Sequence, residues 1–303
     1  MSRIHEALLK AQMDGAIQKD GLEEMESRVE EPQPVVPLRE DVMPSVPDTL
    51  IDQRKSDTER PDIRKFRLCE WLPQKTRLAF LTEPPSAGVE QFRILRSRLI
   101  RERSHRHLKT VLITGAASGA GKTFVAANLA LALARNQGSR ILLVDGDLRR
   151  SNLHALLGLD AAPGLADYLT SGASESEFVR QTPEPNLCVI TAGKPCLTPT
   201  ELLHTRRMQR FIESMSRFFD WILVDSPPAA MVSDSSVLCD LADGVLLVLS
   251  PGIAVKTAQR ALKEFGNKPL LGVVLNRATA GAQDYQYYDT TSRSRKAKSA
   301  GKT

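Results

Sequence analysis

The stretch "VLITGAASGAGKTFVAANLA", from Val111 to Ala130, runs from a short apolar segment through a glycine-rich turn into an alanine-rich helix. Its segment 116–123 fits the P-loop pattern, except that Ala116 fills the first slot, where the strict form has glycine, and Gly115 lies one place earlier. Glycines let the backbone turn its N–H groups around phosphate oxygens, and the following helix presents its positive N-terminal end to the same anion. The stretch therefore predicts a strand, a phosphate-binding loop and a helix in succession.

The loop supplies candidate ligands for a nucleotide. Lys122 would neutralise the β- and γ-phosphates, and the hydroxyl of Thr123 would ligate Mg²⁺. We therefore expect ATP and Mg²⁺ to bind here. The candidate nucleotide-binding residues of the loop are Ser118, Gly119, Ala120, Gly121, Lys122, Thr123 and Phe124.

Two other apolar segments end in carboxylates. Segment 141–144 leads into Asp145 and Asp147, which an extended chain places on the same side. Segment 221–224 leads into Asp225, in the position expected of a Walker B aspartate that orients the metal. We predict that Asp145 and Asp225 position Mg²⁺ and that Asp145 or Asp147 serves as general base. Taken alone, the Asp-Gly-Asp sequence is equally compatible with a plain turn.

Apolar segments and helical patterns alternate along this part of the chain. Strands are predicted at 110–113, 141–144, 187–190, 221–224, 244–249 and 270–275, with helices beginning near 121, 151, 200 and 255. Strands that are apolar on both faces and separated by helices indicate a mostly parallel sheet covered by helices on both faces, an α/β fold. Ligands of such sheets bind at the carboxyl ends of the strands, where the three aspartates are expected.

The terminal regions have a different composition. Residues 1–19 hold a short amphipathic helical pattern, and 20–65 form an acidic, proline-rich segment that we predict to be a disordered linker. We place the globular domain at 66–280 and a disordered, basic, tyrosine-containing tail at 281–303. The sequence contains neither a membrane-spanning apolar run nor a signal peptide, so we expect the chain in the cytoplasm.

Three motifs in order carry a family resemblance: GAASGAGKT, then ILLVDGDLRR, then ILVDSPP. They resemble the motifs of the bacterial tyrosine kinases of capsule and exopolysaccharide systems, within the deviant P-loop group that includes the MinD and ParA ATPases. The resemblance covers about residues 78–276, and the second motif is its most specific part. It implies a MinD- or ParA-like P-loop fold and an ATP- and Mg²⁺-dependent protein-tyrosine autokinase that regulates polysaccharide chain length and export.

The resemblance also implies roles for residues outside the phosphate loop. Arg149 completes the second motif, although its charge could equally stabilise the local fold, and Asn276 or Arg277 would approach the adenine. Motif residues Glu90, Arg93 and Arg96 would join subunits into a ring, and a solvated helix surface is the alternative. The three tail tyrosines would be autophosphorylated, unless they are incidental aromatics: Tyr285, Tyr287 and Tyr288.

The same resemblance implies partners. The chain is similar to the split form of the family, so we expect a homo-oligomer, activated by a membrane-bound chain-length regulator that holds it at the inner face of the membrane. A tyrosine phosphatase is a further candidate partner. The rival function is a nucleotide-switched scaffold without kinase activity. A DNA-bound ParA-like ATPase is a third, but position 117 lacks the lysine of ParA loops and no basic stripe predicts nucleic-acid binding.

Overall fold

The computed structural model describes residues 61–82, 88–136, 138–229 and 231–278. Every helix and strand below belongs to one compact unit that begins at Ile63. The predicted N-terminal helix, the linker up to residue 60 and the basic tail lie outside the described residues.

Eight strands form one sheet within the described part of the chain. They are β1 (Arg67–Leu68), β2 (Thr110–Gly115), β3 (Ile141–Asp145), β4 (Arg180–Gln181), β5 (Leu187–Ile190), β6 (Trp221–Asp225), β7 (Gly244–Leu249) and β8 (Leu270–Leu275). Their spatial order is β1-β4-β5-β3-β6-β2-β7-β8, and all neighbouring strands are parallel except β4 and β5. Our prediction of a mostly parallel α/β sheet is confirmed.

Helices connect the strands. They are α1 (Gly88–His105), α2 (Lys122–Ala134), α3 (Leu153–Leu157), α4 (Leu165–Thr170), α5 (Pro199–Leu203), α6 (Arg206–Met215), α7 (Asp234–Leu241) and α8 (Val255–Lys263). The helix that we expected near residue 200 is two helices, because the chain turns at His204 and the side chain of Thr205 starts α6 by accepting a hydrogen bond from the backbone of Met208. No described helix is long and apolar enough to cross a membrane.

The core depends on the central strands being apolar on both faces. In β2, for example, Val111 and Ile113 belong to the cluster that contains α1 and α2, while Leu112 between them is completely buried on the other face. Helix α2 is buried around most of its circumference, because alanine and leucine fill it after the first turn. The alternation of strand side chains thus gives the sheet two covered faces.

No sequence pattern predicted the two-residue strands β1 and β4. Ile63–Lys65 is a 3₁₀ helix with Ile63 buried, and the compact unit begins at Ile63. Phe66 itself is buried and stacks against Phe219, with ring centroids 5.8 Å apart. Such short elements carry no periodic signal, and only tertiary packing specifies them.

Asn128 fixes the segment that precedes α1. From the middle of α2, its side-chain oxygen accepts a hydrogen bond from the backbone N–H of Ala79 at 2.6 Å. Its amide nitrogen donates to the carbonyls of Phe124 at 2.9 Å and Arg77 at 3.2 Å. A completely buried polar side chain therefore ties two segments together.

We predict that Asn128→Leu lowers the free energy of unfolding by about 3 kcal/mol, because leucine leaves the buried N–H of Ala79 and carbonyl of Arg77 without partners. Urea denaturation followed by circular dichroism measures this. The control is Ser97→Ala on the exposed side of α1, which we expect to change stability by less than about 0.5 kcal/mol. Equal stabilities of the two variants would contradict the role given to Asn128.

Candidate functional site

The phosphate loop links β2 to α2 at the carboxyl edge of the sheet. Gly115 ends β2, and a Cβ there would lie 2.9 Å from the carbonyl oxygen of Val248 and 3.1 Å from the Lys122 side chain. This crowding explains why glycine occupies position 115 while the next position accepts alanine. Gly121 has φ +89°, which favours glycine, and it is the residue from which α2 starts.

Asn276 holds the phosphate loop from the neighbouring side. Its side-chain amide donates to the carbonyl of Ala120 at 2.9 Å, and a Cβ on Gly121 would lie 2.0 Å from its Nδ2 atom. Its backbone N–H donates to the carbonyl of Leu249 at 2.8 Å. In this structure Asn276 therefore supports the loop, and the predicted contact with adenine stays a prediction.

Lys122, Thr123 and Asp225 lie together where α2 begins. Asp225 ends β6 and is almost completely buried, and the Thr123 side chain forms a hydrogen bond with it. Burial raises the pKa of Asp225 to about 7, against the opposing effects of this hydrogen bond and of the Lys122 charge. A cation next to Asp225 would favour its ionised form.

Asp145 is the second buried carboxylate. It pairs in register with Asp225 across β3 and β6, and burial followed by the charge of Asp225 raises its pKa well above the usual range. Its oxygens accept hydrogen bonds from the hydroxyl of Ser151 at 2.6 Å and from the backbone N–H of Asp147 at 3.2 Å. Asp147 is half-buried and lines the cavity described below. The structure therefore brings the three predicted aspartates together but gives them different environments.

Arg149 lies at the rim of the site and is paired. Its guanidinium donates to both carboxylate oxygens of Asp234, at 2.7 and 3.1 Å, and to the hydroxyl of Thr200 at 3.1 Å. These bonds lower the pKa of the Asp234 carboxyl, although burial opposes them. Arg149 therefore connects the segment after β3 to α5 and α7, and it also lines the cavity.

A cavity of about 540 Å³ opens above the phosphate loop. The predicted residues Ser118, Gly119, Gly121, Lys122, Thr123, Phe124, Asp147 and Arg149 line it, whereas Ala120, Asp145, Asp225 and Asn276 do not. The lining residues that sequence reasoning missed include Gln74, Arg77, Arg150 and Asn152. Gln74 and Arg77 lie far from the motifs in sequence, so no local pattern could have identified them.

The residues at the loop fit a divalent cation. Atom Oδ1 of Asp225 is buried and has no hydrogen-bond partner among the described residues, which leaves a carboxylate oxygen for a hard cation or its water ligands. Within the same part of the chain, no group of three or more His, Cys, Asp or Glu side chains could hold a metal by itself. Nucleotide phosphates, the Thr123 hydroxyl and water would have to complete the coordination of Mg²⁺.

The proposed ring motif lies on α1. Glu90 and Arg93 form an exposed ion pair with a 3.3 Å separation. Arg96 is directed into its own chain instead, because its guanidinium donates to the carbonyl of Ala132 at 2.9 Å. Their role between subunits stays a prediction, and the tyrosines at 285, 287 and 288 lie outside the described residues.

Comparisons with known proteins agree with this geometry. The family model described as the CobQ/CobB/MinD/ParA nucleotide binding domain matches residues 111–298. The chain is similar to tyrosine-protein kinase YwqD of Bacillus subtilis, with 35% identity over 215 residues that cover 69% of this chain and 90% of YwqD. It spans only about a third of some longer tyrosine-protein kinases that it matches, 32% and 31% of their lengths in two cases.

Solved structures show the same similarity. The chimerical protein CapA2B2 superposes with a TM-score of 0.64 and 27% identity, covering 71% of this chain and 96% of that chain. The kinase domain of the Escherichia coli tyrosine kinase ETK superposes with a TM-score of 0.62 and 29% identity, covering 66% and 80%.

The raised pKa of Asp225 predicts a pH dependence of stability. Between its usual value of 3.8 and the folded value of about 7, the unfolded chain releases this proton while the folded chain keeps it, so the free energy of unfolding falls as pH rises through this window. We expect Asp225→Asn to reduce that fall and, without nucleotide, to raise Tm at pH 8 by about 5 °C.

Thermal unfolding from pH 4 to 8, with and without Mg²⁺ and ADP, measures this effect. The variant should also lose most of the Tm increase that Mg²⁺ and ADP give the original chain. Asp160→Asn, at an exposed position, is the control and should follow the original curve. An unchanged pH slope in Asp225→Asn would contradict the burial argument.

Proposed function

The chain belongs to the bacterial tyrosine kinases of the CobQ/CobB/MinD/ParA nucleotide-binding group, and on that premise we propose that this protein-tyrosine kinase transfers the γ-phosphoryl group of ATP to tyrosines of its own chain. We further propose that it uses Mg²⁺ and regulates the length and export of a capsular or exopolysaccharide. The observation that carries the proposal is the buried Oδ1 of Asp225, which has no hydrogen-bond partner among the described residues and lies beside Lys122 and Thr123 at the phosphate loop.

The loop holds the phosphates in this proposal. The N-terminal end of α2 and the ammonium group of Lys122 stabilise negative charge on the β- and γ-phosphates. Thr123, Asp145 and Asp225 would position Mg²⁺. The cation, when bound, neutralises charge that develops as the phosphoryl group moves. Asn276 keeps the loop in its binding shape through the carbonyl of Ala120.

The transfer itself needs an acceptor hydroxyl and a base. The phenol oxygen of the tyrosine forms a bond to the γ-phosphorus, the bond from that phosphorus to the β,γ-bridging oxygen breaks, and ADP leaves with the electron pair. The phenol proton goes to Asp145 or Asp147. Asp147 lines the cavity, whereas Asp145 is buried and burial raises its pKa.

We propose Tyr285, Tyr287 and Tyr288 as acceptors, presented to the site of a neighbouring subunit in a ring that Glu90, Arg93 and Arg96 help to form. A membrane-bound chain-length regulator would activate the kinase at the inner face of the membrane, and a tyrosine phosphatase would reverse the modification. The similarity to CapA2B2, which is a chimerical protein, supports a partner of this kind. Each phosphate would add about −1.5 to −2 charges and so change contacts between subunits.

The proposal predicts phosphorylation of the tail. Incubation of the full chain with ATP and Mg²⁺, alone and with its membrane regulator, should give phosphate on residues 285, 287 and 288 by mass spectrometry. Lys122→Met should lower the rate of phosphorylation at least about 100-fold, because no ammonium group then neutralises the negative charge of the phosphates inside the site. Lys194→Met, at an exposed lysine, should retain full activity.

The alternative function gives a different result. Unmodified tyrosines in the original chain under both conditions, with nucleotide binding intact, would show a nucleotide-switched scaffold instead of an autokinase. Phosphorylation that survives Lys122→Met would place the chemistry elsewhere in the chain.

A further inference from the structure

The cavity above the phosphate loop has two different ends. The strand order β3-β6-β2-β7-β8 places β3 and β8 on opposite sides of β2, from which the loop arises. Arg277 follows β8 and lines one end, while Arg150 and Asn152 follow β3 and line the other. The β8 end is next to Asn276, where we expect adenine. The end next to Asp147 is therefore available to the phosphoryl acceptor.

This second end has a fixed wall. The backbone N–H of Gln74 donates to the carbonyl of Leu156 and its side chain donates to the carbonyl of Ala155, both at 3.0 Å, so the segment before α1 is tied to α3. Gly158 allows a closer approach still, because a Cβ there would lie 1.8 Å from the carbonyl oxygen of Leu72. The carbonyl of Arg77 is held by the buried Asn128.

This end of the cavity carries positive charge that no described residue neutralises. The guanidinium groups of Arg77 and Arg150 are exposed, line the cavity and form no hydrogen bond or ion pair with a described residue. Neighbouring Arg149 is different, since Asp234 pairs with it. The one acid among the cavity-lining residues is Asp147, and it accepts a hydrogen bond from the backbone N–H of Arg150 at 2.9 Å. Two arginines without a described partner therefore line the cavity together with the candidate base.

Apolar side chains line the cavity as well. Phe124, Ala155 and Leu156 line the same cavity and can contact an aromatic ring. A ligand that satisfies this end combines a phenyl ring with carboxylates on either side of it. The tail has this composition, because Asp284 precedes Tyr285 and Asp289 follows Tyr288, and these two are the only acids after residue 264.

We propose that Arg77 and Arg150 are specificity-determining residues that bind the carboxylates flanking an acceptor tyrosine, so that the kinase selects tyrosines in acidic sequence and, first of all, the tail segment 284–289 of a second copy of this chain. The proposal deepens the proposed function and rests on it. Charge-assisted hydrogen bonds of this kind orient the acceptor without taking part in the transfer.

A binding measurement tests this without relying on activity. The probe is a fluorescein-labelled peptide of residues 282–291, titrated by fluorescence anisotropy with the full chain saturated with ADP and Mg²⁺, so that nucleotide occupies the loop. The protein carries Asp284→Asn, Asp289→Asn and Tyr→Phe at 285, 287 and 288, which keeps its own tail from competing. The variants are Arg77→Gln and Arg150→Gln, and the control is Arg210→Gln, an exposed arginine outside the cavity.

We expect each cavity variant to raise the peptide Kd about tenfold and the control to leave it unchanged. A peptide with asparagine at both aspartate positions should bind the original cavity about 100-fold more weakly than the acidic peptide does, because both carboxylates are lost, and the variants should weaken it no further. The Kd for ADP should stay within about twofold of the original. Equal peptide Kd values in the original chain and both variants would overturn the proposal, and so would a loss of ADP affinity that accompanies the loss of peptide.

A kinetic measurement separates this proposal from the proposed function. The same donor protein phosphorylates Lys122→Met chains with an unaltered tail, and Arg77→Gln and Arg150→Gln should raise KM for that acceptor about tenfold while kcat stays within about twofold. No transfer by the donor with unaltered arginines would refute the autokinase and this inference with it. Transfer with unchanged KM in both variants would refute the arginine roles alone and leave the autokinase standing.

Discussion

The site depends on two carboxylates that are buried side by side. Asp145 and Asp225 end neighbouring parallel strands in register, and the positive charge of Lys122 at the start of α2 acts on Asp225. Burial raises the pKa of both carboxyls, which shows that the fold holds them at a cost in free energy. Binding of a hydrated cation and polyphosphate returns that free energy, so stability and nucleotide binding are linked at these residues.

The surrounding contacts serve this arrangement. Asn276 supports the phosphate loop from the β8 side, Ser151 holds Asp145 from the β3 side, and Arg149 bridges to α5 and α7 through Thr200 and Asp234. Hydrogen bonds therefore hold the phosphate loop on the β8 side and the Asp145 carboxylate on the β3 side. Movement of α7 would reach the segment after β3 through the Arg149–Asp234 pair, which gives a physical route by which contacts elsewhere on the protein could change the site.

Sequence reasoning predicted the parts that have local patterns. The phosphate loop and Asp145, Asp147 and Asp225 could be located because apolar strands precede them, and the mostly parallel sheet follows from the same strands. Asp234 carried no such signal, since only packing of α7 brings it to Arg149. Gln74 and Arg77 approach the cavity because Asn128 and α3 hold their segment, and these contacts span long sequence separations. The side chain of Asn276 binds the loop carbonyl, a contact that the motif alone could not reveal.

The most direct test is the protonation of Asp225 itself. Carbon-13 NMR of the aspartate carboxyl groups, assigned with Asp225→Asn, follows its titration with and without Mg²⁺ and ADP. The account predicts a pKa near 7 in the free protein, and a decrease of at least about two units when Mg²⁺ and ADP bind, because a divalent cation favours the carboxylate. A pKa near 4 in the free protein, or a raised pKa that Mg²⁺ and ADP leave unchanged, would contradict it.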